Sequence, residues 1–350
     1  MGHDKLRKFA ENETFSCLLQ PSAKEVLADG FFNLRDHEIT GRWNERMFDA
    51  PRPIVLELGC GKGEYTIDLA LRHPECNYIG VDIKGARLWK GAKYATQNHM
   101  GNVAFLRTRI EFITAYFAPG EVSEIWLTFS DPQFRSENSR LTSPLFLKRY
   151  RSFLRSGGIV HLKTDSMFLH RYSRAVAEAN GLHVLACTED LYGTPREALA
   201  MPAEEGPAGS RTAYDPSQAG LGPSLSRAEG GTSLQGPPPP LPEGLSAETV
   251  GALYEVQTFY EKMFLEQGYK ITYLSFVIDH DGPYAHPDFD EDYWRSVEGP
   301  RLLFGHDSAE TRRRKLNSSA SPVSSDHSDS SGSSASPVSS DPFDSSGFPA

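Results

Sequence analysis

Cysteine is scarce in this chain and never paired: Cys17, Cys60, Cys76 and Cys187 form no C-x-x-C motif and no ligand cluster with the histidines. That pattern excludes a structural zinc site and a disulfide framework, and it fits a reduced, cytoplasmic setting with no metal. Long apolar runs are missing as well, since no segment approaches the length of a membrane span. The opening Met1-Gly-His-Asp-Lys-Leu-Arg-Lys8 lacks the apolar core of a signal peptide. Gly2 is not followed by Ser or Thr at position 6, which argues against myristoylation. Large apolar side chains are sparse over residues 200–247, which include Gly236-Pro237-Pro-Pro-Pro240, and over residues 317–350. Neither stretch can bury enough surface to offset the entropy of ordering. In the second, Ser318 to Asp326 recurs at Ser333 to Asp341, and two polar copies do not make a solenoid.

Basic charge is also in short supply, with a formal net charge of −10, but the deficit is uneven. Residues 51–190 carry 18 Lys and Arg against 14 Asp and Glu, whereas residues 1–50 are net −2 and residues 191–350 net −12. A mildly basic core with acidic ends is compatible with RNA, because phosphate contacts depend on the local face, but a solvated mixed-charge surface is the commoner source of such a pattern. Of the 350 residues, roughly 250 remain for folding, enough for one α/β domain.

What the chain has is the run Glu57-Leu-Gly59-Cys-Gly61-Lys-Gly63, set between the strand-like stretch 53–58 and the helical Glu64-Tyr-Thr-Ile-Asp-Leu-Ala70. A glycine loop that delivers a strand onto a helix N-terminus lets a ligand approach backbone that a Cβ would shield. The spacing E-x-G-x-G-x-G is not the dinucleotide G-x-G-x-x-G, so an NAD-dependent dehydrogenase fits worst. It suits a ligand with an amino acid end in place of phosphates, with Glu57 as an acidic partner for an ammonium group. S-adenosylmethionine has both features. The next strand, Tyr78-Ile-Gly-Val-Asp82, ends in an acid about 20 residues on, where a Rossmann-bound nucleoside presents its ribose hydroxyls. Alone, the loop is a tight turn and the acid a solvated strand end; together they support a nucleoside cofactor.

Strand-like runs near 53–58, 77–82, 103–107, 124–129, 158–163, 183–188 and 270–278 alternate with helical patterns such as Leu88/Ala92/Ala95, Leu147/Tyr150/Leu154 and Phe168/Tyr172/Ala175/Ala179. This alternation predicts a seven-stranded, mostly parallel sheet with helices on both faces. Gly157-Gly158 punctuates the turn into the strand at 158, and one helix is expected over about 249–267. Ligands in such sheets bind beyond the carboxyl ends of the strands. Two strands end there in acids: Trp126-Leu-Thr-Phe-Ser130-Asp131-Pro132-Gln133 and His161-Leu-Lys163-Thr-Asp165. Asp131 and Asp165 either meet a substrate or cap the helices that follow.

Glu57 to Gly63, Gly80-Val-Asp82-Ile-Lys-Gly85-Ala-Arg87, Phe129-Ser-Asp131-Pro-Gln133 and Thr258-Phe-Tyr-Glu261 together resemble the bacterial tRNA (guanine-N7-)-methyltransferase family. Phe9-Ala-Glu-Asn-Glu-Thr-Phe15 and Gly41-Arg-Trp-Asn-Glu45 resemble the N-terminal arm of one of its branches. The likeness spans about residues 1–193 and 250–278. It implies an α/β, Rossmann-like class I methyltransferase fold with an antiparallel last strand. Taken with the composition, the division expected is an arm over 1–50, a domain over 51–199 and 248–278, a disordered insertion over 200–247, and a C-terminal extension over 279–350, disordered from about 305; neither of the last two belongs to the family pattern.

The resemblance further implies S-adenosylmethionine as cofactor and a variable-loop guanine of tRNA as substrate, with no DNA and no membrane; the oligomeric state, monomer or homodimer, is left open. By motif, Glu57, Gly59, Gly61, Gly63 and Asp82 hold the methionine and ribose parts of the cofactor, Thr108 and Arg109 border its adenine, and Asp131 is the catalytic acid beside it. Arg135, Asp165, Thr258, Tyr260 and Glu261 fall at substrate-binding positions. Ser130 stands where the family has proline, and Phe134 to Arg140 is less basic than the family's loop. The alternatives are a methyltransferase for another RNA site or a small molecule, and a non-catalytic RNA-binding homologue.

Overall fold

The computed structural model describes residues 3–29, 33–200 and 241–305. The insertion expected over 200–247 falls outside these residues except at its two ends, and the serine-rich tail falls outside them entirely. Ten strands lie among the described residues: β1 (Leu18–Leu19), β2 (Leu27–Asp29), β3 (Asn33–Leu34), β4 (Ile54–Leu58), β5 (Asn77–Asp82), β6 (Val103–Arg107), β7 (Val122–Thr128), β8 (Leu154–Thr164), β9 (His183–Thr188) and β10 (Thr272–Val277). Eight of them form one sheet in the order β1-β6-β5-β4-β7-β8-β10-β9, and β2 and β3 pair separately. Every neighbour in the large sheet is parallel except β10, which runs antiparallel between β8 and β9.

The sheet therefore has one strand more than the seven expected. The addition is β1, where Leu18 and Leu19 pair with Phe105 and Leu106. Two residues are too short to show any alternation, so nothing in the local sequence marks them as a strand. The strand at 158 also starts earlier than its pattern suggests. Leu154, grouped above with a helical face, already pairs with Val122, and the register then shifts until Glu124 meets Ile159. The extra residues are taken up at Gly157, whose φ of +72° is left-handed, so Gly157-Gly158 sits within the strand and not ahead of it.

The helices are α1 (His3–Asn12), α2 (Ala23–Val26), α3 (Trp43–Arg46), α4 (Glu64–Arg72), α5 (Gly85–Gln97), α6 (Pro144–Arg151), α7 (Met167–Ala179), α8 (Arg196–Ala200), α9 (Ala247–Glu255), α10 (Phe259–Glu266) and α11 (Glu291–Gly305). All five residues of β4 are buried, as a parallel strand covered on both faces requires. Ile54, Leu56 and Leu58 join one core cluster with Phe146, Tyr150, Phe168 and Tyr172, while Val55 joins the other with Tyr65, Leu69, Leu88 and Ala92. The single helix expected over 249–267 is two, because Thr258 interrupts it. Its hydroxyl accepts a hydrogen bond from Glu261 N at 3.2 Å and starts α10 afresh.

β4 and β7 lie side by side, with β5 and β6 beyond one and β8 beyond the other. In sheets of this kind, ligands bind past the carboxyl ends of the strands at such a reversal of strand order. The arm is docked on α5: Glu11 of α1 accepts hydrogen bonds from Trp89 Nε1 at 2.9 Å and Lys93 Nζ at 3.1 Å.

Candidate active site

The glycine loop leaves β4 at the reversal point and is fixed by its own backbone. Gly59 N and Cys60 N donate to Val81 O at 2.8 and 3.1 Å, Gly61 N donates to Asp82 Oδ2 at 3.0 Å, and Gly63 N donates to Cys60 O at 2.8 Å. Asp82 also accepts from Lys84 N at 2.7 Å. Three of these loop amides thus face the neighbouring strand, and the fourth, Gly63 N, closes a turn within the loop. The glycines are needed for a different reason than amide exposure. Gly59, Gly61 and Gly63 all have positive φ, at +84°, +58° and +72°. A Cβ at Gly59 or Gly61 would meet nothing within 4 Å, whereas one at Gly63 would strike the Phe105 ring at 2.6 Å. Gly63 is a packing glycine; Gly59 and Gly61 line open space that a side chain would fill, which is the cradle a nucleoside cofactor needs.

Glu57 stands behind this loop with only 4 % of its surface exposed. Its Oε1 accepts from Thr128 Oγ1 at 2.5 Å, and its Oε2 accepts from Thr66 N at 2.8 Å and from the Thr66 hydroxyl. The carboxyl therefore ties β4 to β7 and to the first turn of α4. Burial raises its pKa to about 7, against the lowering effect of the Thr128 and Thr66 hydrogen bonds. Cys60, buried beside two carboxylates, has its thiol pushed well up by desolvation and is a packing residue.

Asp131 follows β7 on a constrained turn. Phe129 and Gln133 both adopt left-handed φ, at 51° and 49°, and Asp131 Oδ1 accepts from Gln133 N at 2.9 Å. Non-glycine residues held in that region each cost on the order of 1–3 kcal/mol, and such strain gathers where geometry is functional. Asp131 is exposed, and Asp165 is half-buried at the end of β8. The helix that follows Asp165 is capped by Ser166, whose Oγ accepts from Leu169 N at 3.1 Å. The capping alternative therefore fails for Asp165; for Asp131 it is replaced by the turn to Gln133.

Thr258, Tyr260 and Glu261 come from the start of α10, which is brought to the loop by Phe259 N donating to Glu64 Oε2 at 2.9 Å. Phe259 and Tyr260 are exposed and meet edge to face, with Lys62 Nζ 5.0 Å from the Phe259 ring. Glu261 turns the other way. It is fully buried, its Oε1 lying 2.7 Å from Lys163 Nζ on β8 and accepting from Tyr192 OH at 2.7 Å. Lys163 also donates to Leu253 O at 2.7 Å and Val256 O at 3.1 Å. Desolvation lowers the Lys163 pKa against the pull of Glu261. Glu261 thus contacts the protein in this structure, in place of the open substrate-facing position expected for it.

The remaining residues are more dispersed. Thr108 is buried past β6 with its hydroxyl 3.3 Å from Tyr116 OH, and Arg109 reaches Glu111 at 3.2 Å. Arg135 is exposed on the loop after Asp131. Sequence reasoning missed Thr66 and Thr128, which hold Glu57, and Lys163 and Tyr192, which hold Glu261. For Lys163 a signal existed: a lysine in a strand buried on both faces requires a buried partner.

A sheet with this reversal, an open glycine cradle at it and an acid on a strained turn after the next strand define a Rossmann-like methyltransferase. A family model described as "Putative methyltransferase" matches residues 51–213. The chain is 41 % identical to the tRNA (guanine-N(7)-)-methyltransferase of Christiangramia forsetii, over 79 % of this chain and 98 % of that protein. It is 38 % identical to that of Bacteroides fragilis, over 83 % and 92 %, and 53 % identical to that of Porphyromonas gingivalis, over 52 % and 72 %. The chain belongs to the tRNA (guanine-N(7)-)-methyltransferase family.

Proposed function

We propose that this chain methylates N7 of a variable-loop guanine in tRNA, using S-adenosylmethionine and yielding 7-methylguanosine. The observation that carries the reading is the likeness to the Christiangramia forsetii enzyme along almost that protein's whole length. The open space against Gly59 and Gly61 fits the cofactor, with Asp82 beside it for the ribose, while Glu57, held by Thr66 and Thr128, braces the loop from behind. When bound, S-adenosylmethionine supplies an electrophilic methyl group on its sulfonium.

Guanine N7 carries an in-plane lone pair and no proton, so no general base is needed to create the nucleophile. The product ring is cationic. Asp131 then orients the base and stabilises positive charge as it develops, an effect that strengthens as water is excluded. Asp165 and Thr258 border the base, Tyr260 offers an exposed ring for stacking, and Arg135 serves a phosphate without reading sequence. Glu261 acts through Lys163, fixing α10 against β8.

The test is to incubate the protein with labelled methyl donor and tRNA lacking 7-methylguanosine, then map the modified nucleotide. Label at a single variable-loop guanine is expected. No transfer, or label at another base, contradicts the reading.

A further inference from the structure

The segment after β10 grips the loop that carries Asp131. Arg140, at the far end of that loop, is fully buried yet charged. Its guanidinium lies 4.7 Å from the Phe168 ring centre and 4.3 Å from that of Tyr172. Its Nη1 and Nη2 donate to the two carboxylate oxygens of Glu291 at 2.7 and 3.0 Å, and its Nε donates to Pro132 O at 3.3 Å. Pro132 is the residue next to Asp131. Two more contacts act on the same loop: Arg295 Nη2 donates to Phe134 O at 3.0 Å, and Glu137 pairs with His286 Nδ1 at 2.8 Å.

The same helix reaches the second acid. Glu298 is buried and accepts from Ser166 Oγ at 2.7 Å and from Phe168 N at 2.9 Å, which places its carboxylate on the N-terminus of α7. Ser166 directly follows Asp165. Between the two grips, Phe134 packs on Phe168 at 4.3 Å, and Phe289 packs edge-on to Phe168 and Tyr172, both at 5.7 Å.

We propose that residues 286–298 are a positioning clamp for the methyl-transfer site: Glu291, acting through Arg140 and Pro132, sets Asp131, while Glu298, acting through Ser166, sets Asp165. One rigid segment then fixes the spacing of two acids that stand on different strands. A bidentate guanidinium–carboxylate pair suits this role because its planar fork tolerates little change of angle. The loop's own charge follows the same logic. Of its two arginines, Arg140 is turned inward, and Arg135 alone remains exposed.

The test uses the full chain with Glu291→Gln, which keeps the shape and removes the charge. Hydrogen exchange is expected to rise at least tenfold at amides of 130–140, with β4 and α4 unchanged. With tRNA, kcat is expected to fall about tenfold, while KM for S-adenosylmethionine shifts less than threefold. Unchanged exchange in the loop overturns the proposal, and so does faster exchange with wild-type kcat. Should this variant not fold, Arg140→Met with Glu291→Leu, which leaves no buried charge alone, is read the same way. Only the kinetic arm rests on the tRNA reading: a wild-type chain inactive on tRNA sinks that reading, and loop exchange still decides the clamp.

Discussion

Replacing Lys163 by Met removes the cation from a pair in which both side chains are fully buried. Glu261 would keep only the Tyr192 hydroxyl, and its Oε2 already has no hydrogen-bond partner. A buried carboxylate deprived of its counter-charge costs about 3–5 kcal/mol. The carbonyls of Leu253 and Val256 also lose a donor, at on the order of 1 kcal/mol each. For a domain of this size the sum lowers the melting temperature by roughly 10 °C or more. Adding Glu261→Leu removes the stranded charge while leaving the two carbonyls as they are. The double variant should therefore recover about 2–3 kcal/mol relative to Lys163→Met. Urea unfolding of the wild type, both singles and the double closes the cycle. Additive losses, with no recovery in the double, would refute the claim that Lys163 and Glu261 stabilise each other and that Glu261 acts internally.

Asp131→Ala should lower turnover on tRNA by about a hundredfold or more, with cofactor affinity within about threefold; equal losses in both would remove Asp131 from its role. Gly61→Ala should weaken cofactor binding at least tenfold by calorimetry for a loss of about 1–2 kcal/mol in stability, because its φ is left-handed and its Cβ would enter open space. Gly63→Ala should destabilise more than that, since it adds a clash with Phe105 to the same backbone strain. The buried Glu57, with its pKa raised to about 7 from an ordinary 4.5, binds a proton in the fold that the unfolded chain has released. Its contribution to stability is fully present below pH 4.5 and is lost as pH rises through 7, to a limit of about 3 kcal/mol. Glu57→Gln should thus gain on the wild type in melting temperature between pH 5 and pH 8, and a constant difference would count against it.

The glycine bend was legible because its chemistry is local: three glycines at alternate positions can all take positive φ, and the strand and helix that flank it have opposite periodicities. The physical reason had to come from the structure, since three of the loop amides bond to Val81 and Asp82 and a fourth to Cys60, while the open space lies at the Cα of Gly59 and Gly61. Most of the sheet could be read for the same reason, strand by strand. What escaped was non-local. β1 is too short for a pattern, and the break at Thr258 is a single cap within an apolar helical run. Glu291 meets Arg140 from 151 positions away, so no local pattern links the segment after β10 to the Asp131 loop. In the sequence that segment falls within the C-terminal extension expected over 279–350, outside the domain it grips.

We propose that the open face of the glycine bend seats S-adenosylmethionine with its methyl directed at the Asp131 turn. A crystal structure with S-adenosylhomocysteine tests it most directly. The ligand is expected against Gly59 and Gly61, its ribose at Asp82 and its sulfur toward Asp131. Ligand bound elsewhere, or none at saturating concentration, would contradict the account.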